Sequence, residues 1–313
     1  MLLFYDKIQM HPALSSLKAG FHPSPLVRIA DPDLPREIEL WLKRDDRLHP
    51  IISGNKWRKL SHILEDALSS GARTLISMGG AHSNHLHALA YAGKRLGLQT
   101  IGHIRGERTE PLTPTLEDCR NWGMELRFVS RSEYRQLRQY RKPDSLPGIR
   151  PGQYWLPEGG AQPLALKGVA ELVEEIEMPF DALCLPCGTG TTLAGCIAAL
   201  GGAKTVLGFA ALKHAEFLTA DVESLLPKPC PRWQIVHDYH FGGFAKTARE
   251  LLEFIHRFEL TQQIPLEPVY TGKMMYGLYD MIAKGCFTPG QRIVAVHTGG
   301  LQGRRGFNAV NAG

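Results

Sequence analysis

Long apolar runs are missing from this sequence. No stretch approaches the roughly 18 consecutive apolar residues that a membrane-spanning helix needs. The opening run, residues 1–5, is broken by Asp6 and Lys7 before the apolar core of a signal peptide could form. These absences argue against a membrane protein and predict a location in the cytoplasm.

The chain also lacks a large excess of one charge sign and has few cysteines. The 313 residues include 36 lysines and arginines and 31 aspartates and glutamates, which leaves a formal net charge of +5, and no run of five like charges occurs. A nucleic-acid-binding protein would carry a concentrated basic patch, whereas this small, dispersed excess suits a small anionic ligand. Six cysteines are too few for a disulfide scaffold in a chain of this length, so we expect reduced thiols.

The composition that is present is that of a globular protein. Hydrophobic residues make up 43% of the chain and charged residues 21%, which excludes a disordered chain. The 32 glycines and 21 prolines lie between apolar runs, as is typical of many tight turns between short elements. The length permits two domains or one large α/β unit, and the lack of a repeat of fixed period argues against solenoids and propellers.

Short segments of alternating apolar residues are separated by segments with helical spacing. In residues 38–42 every second residue is an aliphatic one, which predicts a strand. From Trp57 to Leu68 the apolar residues recur every three or four positions, which predicts a helix. Repetition of this pattern predicts an α/β fold of open, mostly parallel sheets with helices on both faces. A stretch with three prolines at 141–151 predicts a linker and a domain transition near it. Eight further strands are predicted, at 74–78, 99–104, 125–129, 153–156, 182–186, 205–210, 233–236 and 292–297.

The most informative segment is CGTGTT at residues 187–192, which joins a predicted strand to a predicted helix. Its glycines let the backbone approach an anion, its threonine hydroxyls can donate hydrogen bonds, and a helix N-terminus adds free N–H groups. A dinucleotide fingerprint would need glycine at Leu193, and a Walker-type loop would need a following lysine, so neither fits. The segment predicts a phosphate-bearing cofactor smaller than a dinucleotide. The predicted phosphate contacts are Gly188, Thr189, Gly190, Thr191 and Thr192.

Two further turns precede predicted helices. The dipole at a helix N-terminus disfavours cations, so Lys56, Arg58 and Lys59 in one first turn indicate an anionic partner, unless they form a solvated helix start. In the other turn, Ser83 and Asn84 are placed to cap a helix or to present hydrogen bonds to a ligand at the carboxyl edge of the sheet.

Metal binding is not supported by the histidines and cysteines of these segments. His82, His85 and His87 have no acidic neighbour in sequence, and their spacing lacks the glutamate of the helical zinc motif. Cys184 and Cys187 have CxxC spacing, but there is no second pair, and Cys184 lies in an apolar strand. We therefore predict no metal.

Six segments together resemble one group of enzymes. In chain order they read GNKWRKL, GGAHSNH, PEGGAQPLALKG, PCGTGTTLAG, EPVYTGKMMYGLYDMI and VHTGG. Over residues 25–300 they resemble the pyridoxal-phosphate enzymes grouped as 1-aminocyclopropane-1-carboxylate deaminases and D-cysteine desulfhydrases. The resemblance implies a two-domain α/β enzyme of fold type II, like the tryptophan synthase β subunit, with pyridoxal 5'-phosphate in the cleft and usually a homodimer. It also implies that 59–154 form a small inserted domain and that 1–58 and 155–313 form the large cofactor-binding domain.

The same resemblance implies which residues bind the cofactor. Lys56 would hold it as a Schiff base and later move the substrate α-proton, and its cationic, partly desolvated surroundings would lower its pKa, as both tasks require. Asn84 would hydrogen-bond the phenolic oxygen, and residues 188–192 would hold the phosphate. Thr298 would place a hydroxyl against the pyridine nitrogen.

The resemblance also implies four substrate-binding residues, Ser83, Asn84, His85 and Tyr270, with Ser83 and His85 at the substrate carboxylate. The catalytic residues that it implies are Lys56, Ser83 and Tyr270. Two positions depart from the deaminase pattern. Deaminases are expected to carry a glutamate at Thr271 and a second tyrosine near Phe244. The departures favour α,β-elimination over ring opening, with D-cysteine as the leading substrate and pyruvate, ammonia and sulfide as products. The alternatives are a deaminase, a serine racemase or dehydratase, and a cofactor-binding protein without turnover.

Overall fold

The computed structural model describes residues 11–310, with side chains up to residue 307, so the opening run at 1–5 lies outside it. Within this range the chain forms eleven α-helices and ten strands. The helices are α1 (Pro12–Lys18), α2 (Asn55–Ser69), α3 (Asn84–Leu96), α4 (Pro114–Asn121), α5 (Arg131–Leu137), α6 (Pro163–Glu174), α7 (Thr191–Leu200), α8 (Phe217–Leu225), α9 (Arg249–Gln262), α10 (Thr271–Ala283) and α11 (Arg304–Val310). The strands are β1 (Leu26–Arg28), β2 (Glu39–Lys43), β3 (Thr74–Gly79), β4 (Gln99–Arg105), β5 (Met124–Val129), β6 (Gln153–Trp155), β7 (Ala182–Cys187), β8 (Thr205–Ala210), β9 (Trp233–Val236) and β10 (Arg292–Val296).

The larger sheet has six strands in the order β1-β2-β10-β7-β8-β9. Neighbouring strands are parallel except β1 and β2. Along β7, Ala182 and Cys184 pack on the face that α9 and α10 cover, and Leu183 and Leu185 pack on the face of α6 and α7. Strand β7 is apolar throughout because helices cover both faces of the sheet.

The smaller sheet has four parallel strands in the order β5-β4-β3-β6. The central strand β3 is buried along its whole length. On one face Leu75 packs with residues of α3 and α4, and on the other Ile76 packs near Tyr134 of α5 and Trp155 of β6. This sheet is therefore also covered on both sides.

The predicted α/β fold with mostly parallel sheets is confirmed. All nine strands that the alternation predicts are present, each within one residue of its predicted bounds. The sequence analysis misses β1, because three residues are too few to show an alternation, and this strand forms by antiparallel pairing with β2 at the sheet edge.

The two sheets use different parts of the chain. The four strands of the smaller sheet lie between residues 74 and 155, so the chain leaves this sheet a few residues after the proline-containing stretch at 141–151. Helix α2 runs unbroken across residue 59. The division into two domains at 59–154 stays a prediction.

Candidate active site

The parallel strands of both sheets direct their loops toward one cleft. The loops that follow β3, β7 and β10 and the first turn of α2 line a cavity of about 530 Å³. Parallel strands end at a common edge, so segments far apart in the chain meet there. Ten of the predicted site residues line this cavity: Lys56, Ser83, Asn84, His85, Gly188, Thr189, Gly190, Thr192, Tyr270 and Thr298.

Lys56 enters the cleft from the first turn of α2. The preceding Gly54 has φ +63°, and a Cβ on it would overlap the carbonyl oxygen of Thr298, so the close approach requires glycine. The Lys56 amine donates a hydrogen bond to Asn55 Oδ1 at 2.6 Å. Burial lowers the pKa of Lys56 to about 8, against the opposing effect of the Glu267 carboxylate. A lysine with this pKa can act as a nucleophile and as a proton carrier.

The other two cations of this turn have different surroundings. Arg58 makes paired hydrogen bonds to Asp45, both at 3.0 Å, and to Glu175 at 2.5 and 2.7 Å. The anionic partners of Arg58 are therefore carboxylates of the protein, not a ligand. Lys59 lines the cleft, is 2% exposed and has no acidic partner among the described residues. Burial, together with the charge of Lys56, lowers the pKa of Lys59 well below its ordinary value.

Removal of the Arg58 charge should destabilise the fold strongly. Asp45 is fully buried, and breaking a buried ion pair by removing one partner costs about 3–5 kcal/mol. We expect Arg58→Met to lower the free energy of unfolding by this amount in urea denaturation followed by circular dichroism. The matched control, Arg257→Met, removes an exposed pair with Asp33 and should cost about 0–1 kcal/mol. A loss for Arg58→Met no larger than that of the control would contradict the assigned role.

Ser83 and Asn84 stand at the start of α3. Ser83 caps the helix, since its Oγ accepts a hydrogen bond from the Leu86 N–H at 3.2 Å. Asn84 Oδ1 accepts from Gln302 Nε2 at 2.8 Å. These bonds fix the orientation of both side chains at the edge of the cleft.

His85 is buried and is held in one tautomer. The Ser77 hydroxyl donates to the Leu156 carbonyl at 2.8 Å, so it accepts from His85 Nε2 at 2.9 Å. His85 Nδ1 then carries a lone pair, and it has no partner among the residues that the structure describes. Burial, together with the charges of Lys59 and Lys56, holds the pKa of His85 well below its ordinary value. A contact with a substrate carboxylate would need a proton on Nδ1, and this predicted role stays a prediction.

The segment at 188–192 forms a loop and the first turn of α7. Gly190 has φ +74°, and a Cβ on it would lie 2.8 Å from Val222 Cγ2, so the loop depends on glycine. The N-cap is this glycine, which leaves the first N–H groups of the helix free to donate to an anion. Asn55 Nδ2 donates to Thr192 Oγ1 at 2.9 Å and ties α2 to the loop.

The geometry of this loop fits a phosphate group. Thr189 and Thr192 present hydroxyls on the cleft surface. Lys59 supplies a buried amine without an acidic partner among the described residues, and an adjacent phosphate would favour its charged form. Thr191 does not line the cleft: it is fully buried, and its Oγ1 lies 3.3 Å from Thr189 Oγ1. Its predicted part in phosphate binding could therefore involve its backbone N–H but not its hydroxyl.

A buried carboxylate that the sequence analysis did not single out, Glu267, holds the start of α10. It accepts backbone hydrogen bonds from Val269 at 2.7 Å, from Tyr270 at 3.0 Å and from Thr271 at 2.5 Å. Burial raises the pKa of Glu267 to about 7 in spite of these bonds. The signal in the sequence is an acid directly before a turn that opens a helix, within the EPVY segment. This carboxylate fixes the backbone of Tyr270.

Tyr270, Phe244 and Thr298 line the cleft, whereas Thr271 does not. The rings of Tyr270 and Phe244 meet edge to face with centroids 6.0 Å apart. Burial and the Glu267 carboxylate raise the pKa of the Tyr270 phenol, so it stays protonated at neutral pH. Thr271 is fully buried, so the position at which deaminases are expected to carry a glutamate faces protein.

The described residues hold no cluster of three or more histidine, cysteine or acidic side chains that could bind a metal ion. Cys184 and Cys187 are buried, and all six cysteines of the chain are free. No helix between residues 11 and 310 combines the length and the apolar character that crossing a membrane requires.

The cleft combines a partly buried lysine of lowered pKa, a glycine loop at a helix start and a second, fully buried lysine. The model of the family described as pyridoxal-phosphate dependent enzymes matches residues 17–299. The chain belongs to this family. The cofactor predicted from the sequence is thereby confirmed.

Relatives of this pyridoxal-phosphate-dependent enzyme lie in the predicted group. It is 32% identical over 311 residues to the mitochondrial bifunctional D-cysteine desulfhydrase/1-aminocyclopropane-1-carboxylate deaminase of Arabidopsis thaliana, with 90% of this chain and 77% of that protein covered. It is 27% identical to a 1-aminocyclopropane-1-carboxylate deaminase of Bradyrhizobium sp. (strain BTAi1), with 98% of each covered. A crystal structure of an ACC deaminase homologue matches with a TM-score of 0.75 and 30% identity, over 96% of this chain and 99% of that chain. The predicted family and the fold type II architecture are confirmed.

Bound pyridoxal phosphate supplies an electron sink for bonds that break at the α-carbon of an amino acid. The residues of this enzyme fit the group. The Lys56 amine suits covalent attachment, and the loop at 188–192 with Lys59 suits the phosphate. Asn84 and Thr298 offer polar groups for the ring substituents. These individual roles stay predictions.

Proposed function

We propose that this enzyme catalyses α,β-elimination from a small amino acid, with D-cysteine as the leading substrate. The observation that carries the proposal is the lack of an unpaired acid on the cleft surface, among the residues that the structure describes. The two carboxylates there are engaged: Glu158 pairs with Arg138 at 3.0 Å, and Asp221 pairs with Arg141 at 3.2 Å. A thiolate leaves with little assistance, because thiols have a pKa of about 8.5. A ring-opening reaction would require the acid that is missing.

The residues of the chain divide the work of an elimination as follows. Lys56 takes the α-proton, which its lowered pKa permits. Tyr270 donates a hydrogen bond to the departing sulfur and keeps its proton, because its phenol stays protonated and Glu267 fixes its backbone. Ser83 orients the substrate carboxylate at the start of α3. The products are pyruvate, ammonia and sulfide.

Deamination of 1-aminocyclopropane-1-carboxylate is the second candidate, because the relative in Arabidopsis thaliana is named for both activities. The candidates can be separated by a screen of small D- and L-amino acids, including serine, that measures release of pyruvate, sulfide and 2-oxobutanoate. Racemisation would be detected as a change of optical rotation. Sulfide and pyruvate from D-cysteine support the proposal, and 2-oxobutanoate as the dominant product overturns it.

We also propose that the enzyme is a homodimer in the cytoplasm. Light scattering on the purified protein tests the oligomeric state, and cell fractionation tests the location.

The rate at which the apo-protein attaches pyridoxal phosphate should rise with pH through a midpoint near 8. Only the neutral form of Lys56 attacks the cofactor carbonyl, and the pKa of Lys56 is lowered to about 8. The negative charge of Glu267 stabilises the ammonium form, so Glu267→Gln should lower the pKa of Lys56 and move the midpoint down. Cofactor absorbance in stopped-flow mixing measures the rate. Asp221→Asn is the control and should not move the midpoint, since this carboxylate is paired with Arg141. If Glu267→Gln left the midpoint unchanged or moved it up, the electrostatic coupling between Glu267 and Lys56 would be refuted.

A further inference from the structure

Arg105 stands at the mouth of the cleft without an acidic partner among the described residues. Four arginines from the smaller sheet and its connections line this mouth. Two of them, Arg138 and Arg141, neutralise Glu158 and Asp221. The other two, Arg105 and Arg131, pair with no carboxylate in the part of the chain that the structure describes. The mouth therefore carries an uncompensated positive charge.

The Arg105 guanidinium is held beside the loop that is expected to bind substrate. It lies over the ring of Tyr134, with its central carbon 5.6 Å from the ring centroid. Tyr134 is 3% exposed, and its hydroxyl donates to Glu158 at 2.6 Å, so the ring is fixed. A Cβ built on Gly80 would lie 3.7 Å from Arg105 Nη2. Gly80 follows β3 and leads directly to Ser83 and Asn84.

Arg105 and the loop that fits a phosphate belong to different sheets. The loop lies in the larger sheet, where α7 begins, and the amine of Lys59 is available there for a phosphate. Arg105 ends β4 of the smaller sheet. An anion at Arg105 would therefore belong to the substrate, and it would be a second anionic group in addition to the α-carboxylate.

The geometry points to a small amino acid whose β-substituent is itself an oxyanion, namely a sulfonate, a sulfate ester or a phosphate ester, bound by Arg105. This inference rests on the proposed elimination. In that reaction the α C–H bond and the bond from the β-carbon to sulfur or oxygen break. The α-proton passes to Lys56, and the leaving group departs with the bonding electron pair as sulfite, sulfate or phosphate. Water then converts the remaining 2-aminoacrylate to pyruvate and ammonium.

The kinetic test uses the holoenzyme and the variants Arg105→Gln and Arg105→Lys. The substrates are D- and L-cysteate, O-phospho-D- and O-phospho-L-serine, and D-cysteine, whose β-substituent is a thiol without a fixed charge. A hydrogen-bonded charge pair is lost in Arg105→Gln, so we expect kcat/KM for the anionic substrates to fall about tenfold or more, chiefly through KM. The value for D-cysteine should change by less than about threefold, and Arg105→Lys should recover most of the loss because it keeps the charge. The control Arg108→Gln removes a side chain that is 60% exposed and paired with Glu110.

A binding measurement gives a readout that does not depend on turnover. Isothermal titration of 3-sulfopropionate, which has two anionic groups and no amine, should show affinity for the wild-type protein that falls about tenfold in Arg105→Gln and falls with added salt. Propionate should bind both proteins equally. The inference would be overturned if kcat/KM fell equally in Arg105→Gln for the anionic substrates and for D-cysteine, or if the binding of 3-sulfopropionate did not change. If D-cysteine is turned over but the affinity for 3-sulfopropionate is the same in wild type and Arg105→Gln, only the inference fails. If no amino acid yields pyruvate but the affinity for 3-sulfopropionate falls in Arg105→Gln, only the proposed function fails.

Discussion

Lys56→Ala should reduce turnover by about a thousandfold or more, because one side chain serves both as the attachment point and as the proton carrier. The fold should be unaffected. The Lys56 side chain is only partly buried, and its amine has one hydrogen-bond partner, Asn55 Oδ1 at 2.6 Å. Turnover is measured as pyruvate release, and the urea midpoint reports on stability. Lys94→Ala, on the exposed surface of α3, is the control and should change neither quantity.

Borohydride reduction of the wild-type holoenzyme tests the same residue without an activity assay. Peptide mapping should find the pyridoxyl group on Lys56. Two lysines that are more deeply buried than Lys56 are the alternatives. Lys59 lies in the same cleft, whereas Lys273 donates to the carbonyl groups of His240 at 2.8 Å and Gly243 at 2.7 Å. A label on either of these lysines, or loss of folding in Lys56→Ala, would show that the attachment site is assigned incorrectly.

D-cysteine should be turned over at least about a hundredfold faster than 1-aminocyclopropane-1-carboxylate, which is the size of one general acid–base contribution. A thiolate is a stable leaving group, whereas opening a cyclopropane develops negative charge on carbon and needs a nearby acid. Phe244 has no hydroxyl, and Thr271 is fully buried outside the cleft. Parallel assays of sulfide and 2-oxobutanoate measure the ratio.

Phe244→Tyr should lower the ratio of D-cysteine turnover to 1-aminocyclopropane-1-carboxylate turnover. The Phe244 ring is 41% exposed at the cleft, so a hydroxyl there can reach solvent and substrate. Phe217→Tyr adds the same hydroxyl to another exposed ring of the cleft and should leave the ratio unchanged. Thr271→Glu is a poorer test, since it would place a second carboxylate in a fully buried position next to the residues that Glu267 holds. Efficient ring opening by the unmodified enzyme would show that neither group is required.

Local pattern in the sequence was sufficient for most of the fold. The apolar run of 182–186, the glycines of 187–192 and the helical spacing that follows are each contained in fewer than a dozen residues. Strand β7, its loop and α7 form as they predict. The same holds for Lys56 at the start of α2 and for Ser83 as the cap of α3. Such features depend on neighbours in the chain, so the sequence by itself determines them.

The tertiary structure decided which charged groups face the ligand. In the sequence Lys56, Arg58 and Lys59 form one basic turn, but Arg58 pairs with Asp45 and Glu175, which are 13 and 117 residues away. Glu267 influences the pKa of Lys56 across more than 200 residues. Arg105 reaches Gly80 because β3 and β4 are neighbours in the smaller sheet. Burial and charge pairing are sums over all residues that pack around a group, and these residues become neighbours only when the two sheets and their helices have assembled.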